Sequence, residues 1–153
     1  MNIKEIIPVI LILMLLISCS TGVVSWNPKS LTDTSDVVIT CDASKGDRGL
    51  YNYKGSVYVH IGVITDLSAT PTAWRYGKFV WGSQVPQALA KPTGKNKWNY
   101  SIQNIRKFLE VPDDEKILQI AIVFRSGCID SCYILKNKDG SDMFIPVDNI
   151  DKP

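Results

Sequence analysis

The chain contains a single histidine, His60, so any acid–base or nucleophilic chemistry that needs an imidazole would have to use it. A serine nucleophile is activated by such a base and is often presented by a G-x-S-x-G turn, which this sequence lacks. Asp113, Asp114 and Glu115 are adjacent, which is typical of a solvated turn rather than of two carboxyl groups across a cleft. The sequence therefore predicts a protein that is not an enzyme.

Aromatic side chains are the more informative set. Tyr58 and His60 alternate in one strand-like run, and Trp74 and Tyr76 follow in a segment that also carries Gly, Lys and Arg. An exposed aromatic ring offers a flat apolar plate to the C–H face of a sugar, while neighbouring polar groups orient the hydroxyls. These four residues are the candidate sugar-binding set, with a hydrogen-bonded structural role as the alternative for His60. A sandwich also needs bulky core residues. The rings expected in the core are Trp81, Trp98 and Tyr100.

Three of the four cysteines lie beyond residue 19. Cys128 and Cys132 flank three residues, and such a pair closes a disulfide across a tight turn outside the cytoplasm. Metal ligation is the competing interpretation, but no further Cys or His lies nearby to complete four ligands. Cys41 ends an apolar run and is expected to be a buried free thiol; a catalytic pair with His60 is the alternative. We expect no metal and no cofactor.

The first 18 residues have the pattern of an export signal. A short polar start with Lys4 precedes an apolar run over residues 6–17, which is too short to span a bilayer comfortably as a permanent helix. The run closes with L-I-S-C at residues 16–19, which resembles the lipobox of bacterial lipoproteins. That resemblance implies cleavage before Cys19 and lipidation of its thiol and new amino group. It also implies a membrane-anchored lipoprotein. We expect this lipoprotein in the outer membrane, facing the periplasm or the cell surface. The alternative is an ordinary secretory peptide with an incidental cysteine.

The remaining chain is long enough for one domain. Polar residues and Pro28 predict a lipidated tether over residues 19–35, followed by a domain at 36–149 and a tail at 150–153. The formal net charge of +2 excludes the strong basic footprint of a nucleic-acid-binding protein.

The central strand is V-Y-V-H-I-G-V-I-T at residues 57–65, whose residues alternate between two fairly apolar faces. A second central strand is expected at 118–124, and a helical turn at 104–109. Residues 82–96 read as an irregular connection, and 136–142 as a turn hinged at Asp139 and Gly140. The other expected strands are 36–41, 74–81 (one strand bent at Gly77, or two short ones), 97–102, 132–135 and 143–147. The fold class is therefore all-β, a single antiparallel immunoglobulin-like β-sandwich of about seven strands.

A Y-x-H strand followed by Trp74 resembles the starch-binding modules attached to bacterial amylases. More closely, V-Y-V-H-I-G-V-I-T together with L-Q-I-A-I-V-F-R-S resembles the N-terminal immunoglobulin-like module of outer-membrane glycan-utilisation lipoproteins and amylases. The starch-module resemblance implies that Tyr58 and Trp74 stack on glucose rings and that His60 hydrogen-bonds a hydroxyl. This chain departs from the pattern at residues 136–142, which carry Asn137 but no tryptophan.

The resemblance therefore implies a membrane-anchored, non-catalytic protein that binds an α-glucan such as starch, with partner proteins of a glycan-uptake complex and no nucleic-acid partner. The alternative is a structural or docking module of such a complex, or the detached N-terminal module of an amylase-like enzyme, with no sugar site of its own.

Overall fold

The computed structural model describes residues 22–128 and 131–148. The predicted signal peptide, the predicted lipidation site Cys19 and the predicted tail lie outside the described residues. The described part is nearly all β, with a single short α-helix, α1 (Ile105–Leu109). Its strands are β1 (Val24–Asn27), β2 (Val37–Asp42), β3 (Val57–Thr65), β4 (Lys91–Gly94), β5 (Lys97–Ile102), β6 (Ile117–Ser126), β7 (Ile134–Leu135) and β8 (Met143–Pro146). In this part of the chain, no helix is long and apolar enough to cross a membrane.

The strands form two antiparallel sheets. Sheet 1 has the order β1-β2-β5-β4, and sheet 2 pairs β3 with β6, whose other edge carries both β7 and β8. Alternate apolar residues of both sheets are buried in one hydrophobic core, as the period of two along each strand requires. The prediction of an all-β antiparallel sandwich is confirmed, with eight described strands instead of about seven.

The register of β3 against β6 determines which side chains point away from the core. Ile61 pairs with Ile122, and His60 pairs with Val123. Directly opposed residues of antiparallel strands point to the same face. Ile61 and Ile122 therefore enter the core, while His60 and Val123 lie together on the outer face of sheet 2.

The predicted tether is wrong for residues 22–35, because this segment belongs to the domain. Val24 pairs with Cys41 of β2, and Leu31 is fully buried. The Leu31 carbonyl also accepts a hydrogen bond from the backbone N–H of Asp148, at 2.6 Å. Val24 and Trp26 alternate with polar residues in a short edge strand, which Pro28 ends. The surrounding Ser and Thr residues made this strand hard to recognise in the sequence.

The strand predicted at 74–81 is also wrong. Arg75 forms an isolated bridge with Val63 at the free edge of β3, with N···O distances of 2.8 and 2.9 Å. Tyr76 then adopts a φ of +51°, which takes the backbone out of the extended region. The segment therefore touches the edge of β3 without becoming a strand.

The connection predicted at 82–96 has more regular structure than expected. Pro86–Ala88 form a single 3-10 turn, and β4 pairs with β5 through a tight turn in which Asn96 has a φ of +62°. Asparagine tolerates this left-handed conformation better than most residues. The helical turn predicted at 104–109 is confirmed as α1, with the side chain of Asn104 accepting a hydrogen bond from the backbone N–H of Lys107.

The turn predicted at 136–142 is present, but it does not reverse the chain. Leu135 of β7 pairs with Phe124, and Met143 of β8 pairs with Ile122, so both strands run in the same direction along one edge of β6. The intervening residues leave the sheet as a loop beside Val123, and Gly140 turns with a φ of +83°. Because Val123 pairs with His60, this loop stands next to the only histidine of the chain.

Candidate functional site

Residues 66–85, hereafter the cover segment, pack against the free edge and outer face of sheet 2. A Cβ atom added to Gly62 would lie 2.7 Å from the carbonyl oxygen of Arg75, so only glycine fits at this position. Ala121 and Val123, on the same outer face of β6, are buried. Alternate residues of β3 thus pack on two sides: one set enters the core, and the other set packs against the cover segment.

His60 lies between two tryptophans of the cover segment. Its ring stacks on Trp74, with centroids 5.4 Å apart and planes at 19°, and meets Trp81 edge-on at 5.0 Å and 82°. These are favoured geometries for aromatic pairs. Trp81 remains 49% exposed, so much of its indole is open to solvent. The three rings make an aromatic wall.

A groove of about 380 Å³ runs beside this wall. Its opposite side is formed by the loop between β7 and β8, where Lys136 Nζ lies 3.2 Å from Asp142 Oδ1. The groove is lined by His60, Trp74, Trp81, Val123, Ile134, Lys136 and Asp142. An apolar wall therefore faces an ion pair whose groups both donate and accept hydrogen bonds.

His60 is held neutral in this environment. Burial lowers the pKa of its imidazole, and the nearby positive charge of Arg125 lowers it further. The carboxylate of Asp142 and the backbone of Phe79 act in the opposite direction but do not overcome these effects. At neutral pH the imidazole is therefore uncharged, with one nitrogen as a donor and the other as an acceptor. Its Nδ1 atom is buried and has no hydrogen-bond partner among the described residues.

Arg125 lies beneath the aromatic wall and is fully buried. Its guanidinium donates to the carbonyl oxygens of Ser126, at 2.9 Å, and Ser83. Its central carbon lies 5.7 Å from the ring centroids of both Tyr58 and Trp81, within the range of cation–π attraction. Arg125 therefore joins β6 to the end of the cover segment. Burial lowers the pKa of Arg125, which has no partner for Nε in the described chain.

A second set of polar side chains, hereafter the Glu115 cluster, holds the middle of the cover segment. Glu115 is only 3% exposed. Thr65 Oγ1 and Arg75 Nε donate to its Oε1 atom, the latter at 2.6 Å, and the hydroxyl of Tyr76 donates to Oε2. The prediction that this carboxylate belongs to a solvated run is wrong, although Asp113 and Asp114 are exposed. Burial opposes the ionisation of Glu115, but its hydrogen bonds and the charge of Arg75 outweigh this effect and lower its pKa.

The structure brings together only part of the predicted sugar-binding set. His60 and Trp74 are in contact, and Tyr58 lies on the same face of β3 as His60, against Arg125. Tyr76 does not line the groove, and its hydroxyl donates to Glu115 in the Glu115 cluster. The core positions of Trp98 and Tyr100 are confirmed, both at 6% exposure. Trp81, predicted to lie in the core, is half exposed in the groove.

Sequence reasoning missed five of the seven lining residues, and the three that supply the exposed ring and the ion pair are Trp81, Lys136 and Asp142. Trp81 lies between Val80, which is 81% exposed, and Gly82, whose φ is +82°. The glycine after Trp81 was the available signal for a loop tip. Lys136 and Asp142 flank the predicted turn, but their position beside His60 depends on pairing between distant strands, which no local pattern reveals.

The cysteines follow their predicted structural roles. Cys41 is fully buried on the core side of sheet 1, and burial raises its thiol pKa to about 12, which disfavours the reactive thiolate. His60 points to the opposite side of sheet 2, so the two do not form a catalytic pair. Cys128 and Cys132 are joined as a disulfide with their Cα atoms 4.8 Å apart, as predicted. Among the described residues, no group of three His, Cys, Asp or Glu side chains could hold a metal ion.

The groove thus offers one half-exposed indole, a stacked indole–imidazole pair and an ion pair on the facing loop. Apolar ring faces attract C–H groups, and the ammonium and carboxylate groups bind hydroxyls. No protein-family model and no curated protein matches this chain.

Proposed function

We propose that this protein is a membrane-anchored lipoprotein that binds carbohydrate without catalysis, through the groove beside His60. The observation that carries the proposal is the exposed indole of Trp81 opposite the Lys136–Asp142 ion pair. A sugar ring has an apolar face and a polar rim of hydroxyl groups. The groove has an aromatic wall for the apolar face and a charged wall for the hydroxyl groups.

The groove assigns different roles to its aromatic residues. Trp81 is the plate on which a sugar ring stacks, because about half of its surface is free. One face of Trp74 is occupied by the imidazole of His60, so Trp74 presents its other face and its edge. The uncharged His60 supports both indoles through its ring contacts with Trp74 and Trp81. Tyr58 acts indirectly, through its cation–π contact with Arg125.

An α-glucan such as starch is the favoured ligand, since the resemblance to amylase-associated modules points to glucose polymers. Helical glucans present curved apolar surfaces to neighbouring aromatic rings, and Trp74 and Trp81 flank His60 at different inclinations. The lipid on Cys19 would keep this groove at the membrane where the glycan is captured, and the outer membrane is the favoured location. More than one acyl chain would make the anchor stable.

Affinity electrophoresis of residues 20–153, which include every described residue, tests the proposal. We expect soluble starch in the gel to retard the protein and free maltooligosaccharide to reverse the retardation. Trp74→Ala should lose the retardation, while Tyr51→Ala, which removes an exposed ring outside the groove, should keep it. Migration that is unchanged by starch and by a panel of other polysaccharides would contradict carbohydrate binding.

A docking module of a glycan-utilisation complex is the second candidate. It is favoured by the internal contacts of two predicted sugar residues, since Trp74 stacks on His60 and Tyr76 donates to Glu115. In that case the groove would receive a side chain of a partner protein. Copurification of a defined glycan-uptake partner, lost in Trp81→Ala and with no retention on any glycan, would support this candidate instead.

A further inference from the structure

One end of the sandwich, hereafter the proximal end, is marked by the start of β1. Val24 lies opposite Cys41, and the backbone N–H of Asp42 donates to the carbonyl of Val23 at 2.9 Å. Asp42 in turn pairs with Lys97, the first residue of β5. The chain therefore enters the described domain at the end where β2 stops and β5 begins.

Three further segments gather at the proximal end. The loop 43–56 is tied to the turn between β4 and β5 by two hydrogen bonds to Asn96, from the backbone N–H groups of Ala43 (2.8 Å) and Asn52 (2.7 Å). The same loop reaches the third segment, residues 133–136, because Tyr53 packs on Tyr133 with ring centroids 5.8 Å apart. These segments form one continuous surface around the entry point of the chain.

The chemistry of this surface is that of a membrane interface. Tyr51 and Tyr133 are 40% and 65% exposed, and the guanidinium of Arg48 lies 3.9 Å from the ring centroid of Tyr51. Lys54 and Lys95 are exposed and line a shallow groove at this end. Tyrosine rings favour the headgroup layer of a bilayer, and lysine and arginine are attracted to anionic lipids.

The length of chain before β1 brings this surface to the membrane. Cys19 is four residues before Val23, so the two Cα atoms lie within about 14 Å of each other even in a fully extended chain. The tether predicted from sequence, residues 19–35, would have allowed a reach of about 55 Å. Because β1 belongs to the sandwich, a lipid on Cys19 holds the proximal end within a short distance of the headgroups.

We propose that the proximal end rests on the anionic lipid surface in which Cys19 is anchored, with Tyr51, Tyr133, Arg48, Lys54 and Lys95 in contact with headgroups. This inference rests on the lipid anchor of the proposed function but not on sugar binding. The opposite end, which carries α1, then points away from the membrane. The domain has a fixed orientation instead of hanging on a flexible chain.

Spin labelling of the lipidated protein tests this orientation. Lys95→Cys places a label at the proximal end, and Lys107→Cys places one on α1 at the opposite end; both lysines are exposed. The introduced thiol is labelled selectively, because Cys41 is buried, Cys128 and Cys132 are bonded, and Cys19 carries the lipid. In vesicles of phosphatidylcholine and phosphatidylglycerol, we expect a water-soluble nickel complex to relax the label at 95 several-fold less than the label at 107.

The outcomes separate the parts of the proposal. Equal relaxation at both positions would overturn it, as would equal relaxation of the label at 95 in vesicles with and without phosphatidylglycerol. Failure of the protein to float with vesicles would overturn the lipid anchor and this inference together. Loss of retention on starch, with the label at 95 still protected, would contradict only the sugar site.

Discussion

The Glu115 cluster and the groove beside His60 both contact the cover segment, but they differ in whether their buried polar atoms have hydrogen-bond partners. In the cluster, both oxygens of Glu115 accept hydrogen bonds, from Thr65, Arg75 and Tyr76. Near the groove, the atoms His60 Nδ1, Ser83 Oγ and Arg125 Nε are buried without a partner among the described residues.

This difference distinguishes a site whose polar groups are paired within the protein from the groove that we propose as the binding site. A buried polar group without a partner costs about 1–3 kcal/mol, whereas a fully satisfied network fixes one geometry. The cluster therefore fixes the middle of the cover segment, and the hydroxyl of Tyr76 is used in that contact. The groove retains an exposed indole and an ion pair within reach of a ligand.

The largest effect is expected from Glu115→Gln. The amide removes the negative charge that Arg75 faces and replaces one of the two oxygens to which Thr65 and Tyr76 separately donate. Partial exposure of Arg75 moderates the loss. We expect the free energy of unfolding at pH 7 to fall by about 2–3 kcal/mol, as measured by urea denaturation.

Asp114→Asn is the matched control, since it removes the charge of an exposed neighbour in the same turn. Its effect should stay within about 0.5 kcal/mol. At a temperature where Glu115→Gln is still folded, its retention on starch should persist. Equal stability of the two variants would mean that the buried carboxylate does not hold the cover segment.

Trp81→Ala should produce the opposite pattern. Removal of the exposed plate should weaken binding of a soluble maltooligosaccharide at least about 10-fold, or about 1.4 kcal/mol, in calorimetric titration. The free energy of unfolding should change by less than about 1 kcal/mol, because half of the indole is already solvated. A variant that loses stability while it binds glucan like the wild type would reverse the assignment of the two regions.

A smaller effect of Glu115 is expected in the dependence of the free energy of unfolding on pH. Its pKa in the folded protein lies below the ordinary value of 4.5. The unfolded chain therefore takes up the proton first as the pH falls, and the stabilisation is present above pH 4.5 and lost through the folded pKa. The stability difference between wild type and Glu115→Gln should shrink as the pH falls below 4.5. A difference that stays constant from pH 7 to pH 3 would contradict the lowered pKa.

Local patterns predicted the strands best. The bounds of β3 and β5 follow from strict alternation, as at Trp98, Tyr100 and Ile102, and the structure reproduces them. The same method failed at β1, where only four residues alternate between Ser-, Thr- and Pro-rich flanks. Such a short strand is stabilised by its neighbour β2 and by the burial of Leu31, both of which are properties of the folded chain.

The candidate site was less predictable because it is assembled from distant segments. His60 and Trp74 were identified by type, but the choice between Trp81 and Tyr76 depends on the path of the cover segment. That path is decided by a left-handed φ at Tyr76 and by Glu115, which lies 39 residues further along the chain. Local hydrophobic periodicity carries no information about such a pairing.

The smallest predicted effect concerns the charge of His60, where Arg125 and Asp142 act in opposite directions. Because burial and Arg125 prevail, the imidazole should titrate in an NMR experiment with a midpoint below its ordinary 6.5. The unfolded chain then binds the proton first, so the contribution of His60 to stability is present above pH 6.5 and lost as the pH falls through the folded pKa. Asp142→Asn should move the midpoint lower still, because it removes the carboxylate that favours the imidazolium. A midpoint at or above 6.5 would mean that Asp142 prevails and that the groove presents a cation at mildly acidic pH. Sugar binding itself would then become pH-dependent near neutrality, because the charge beside both indoles would change with pH.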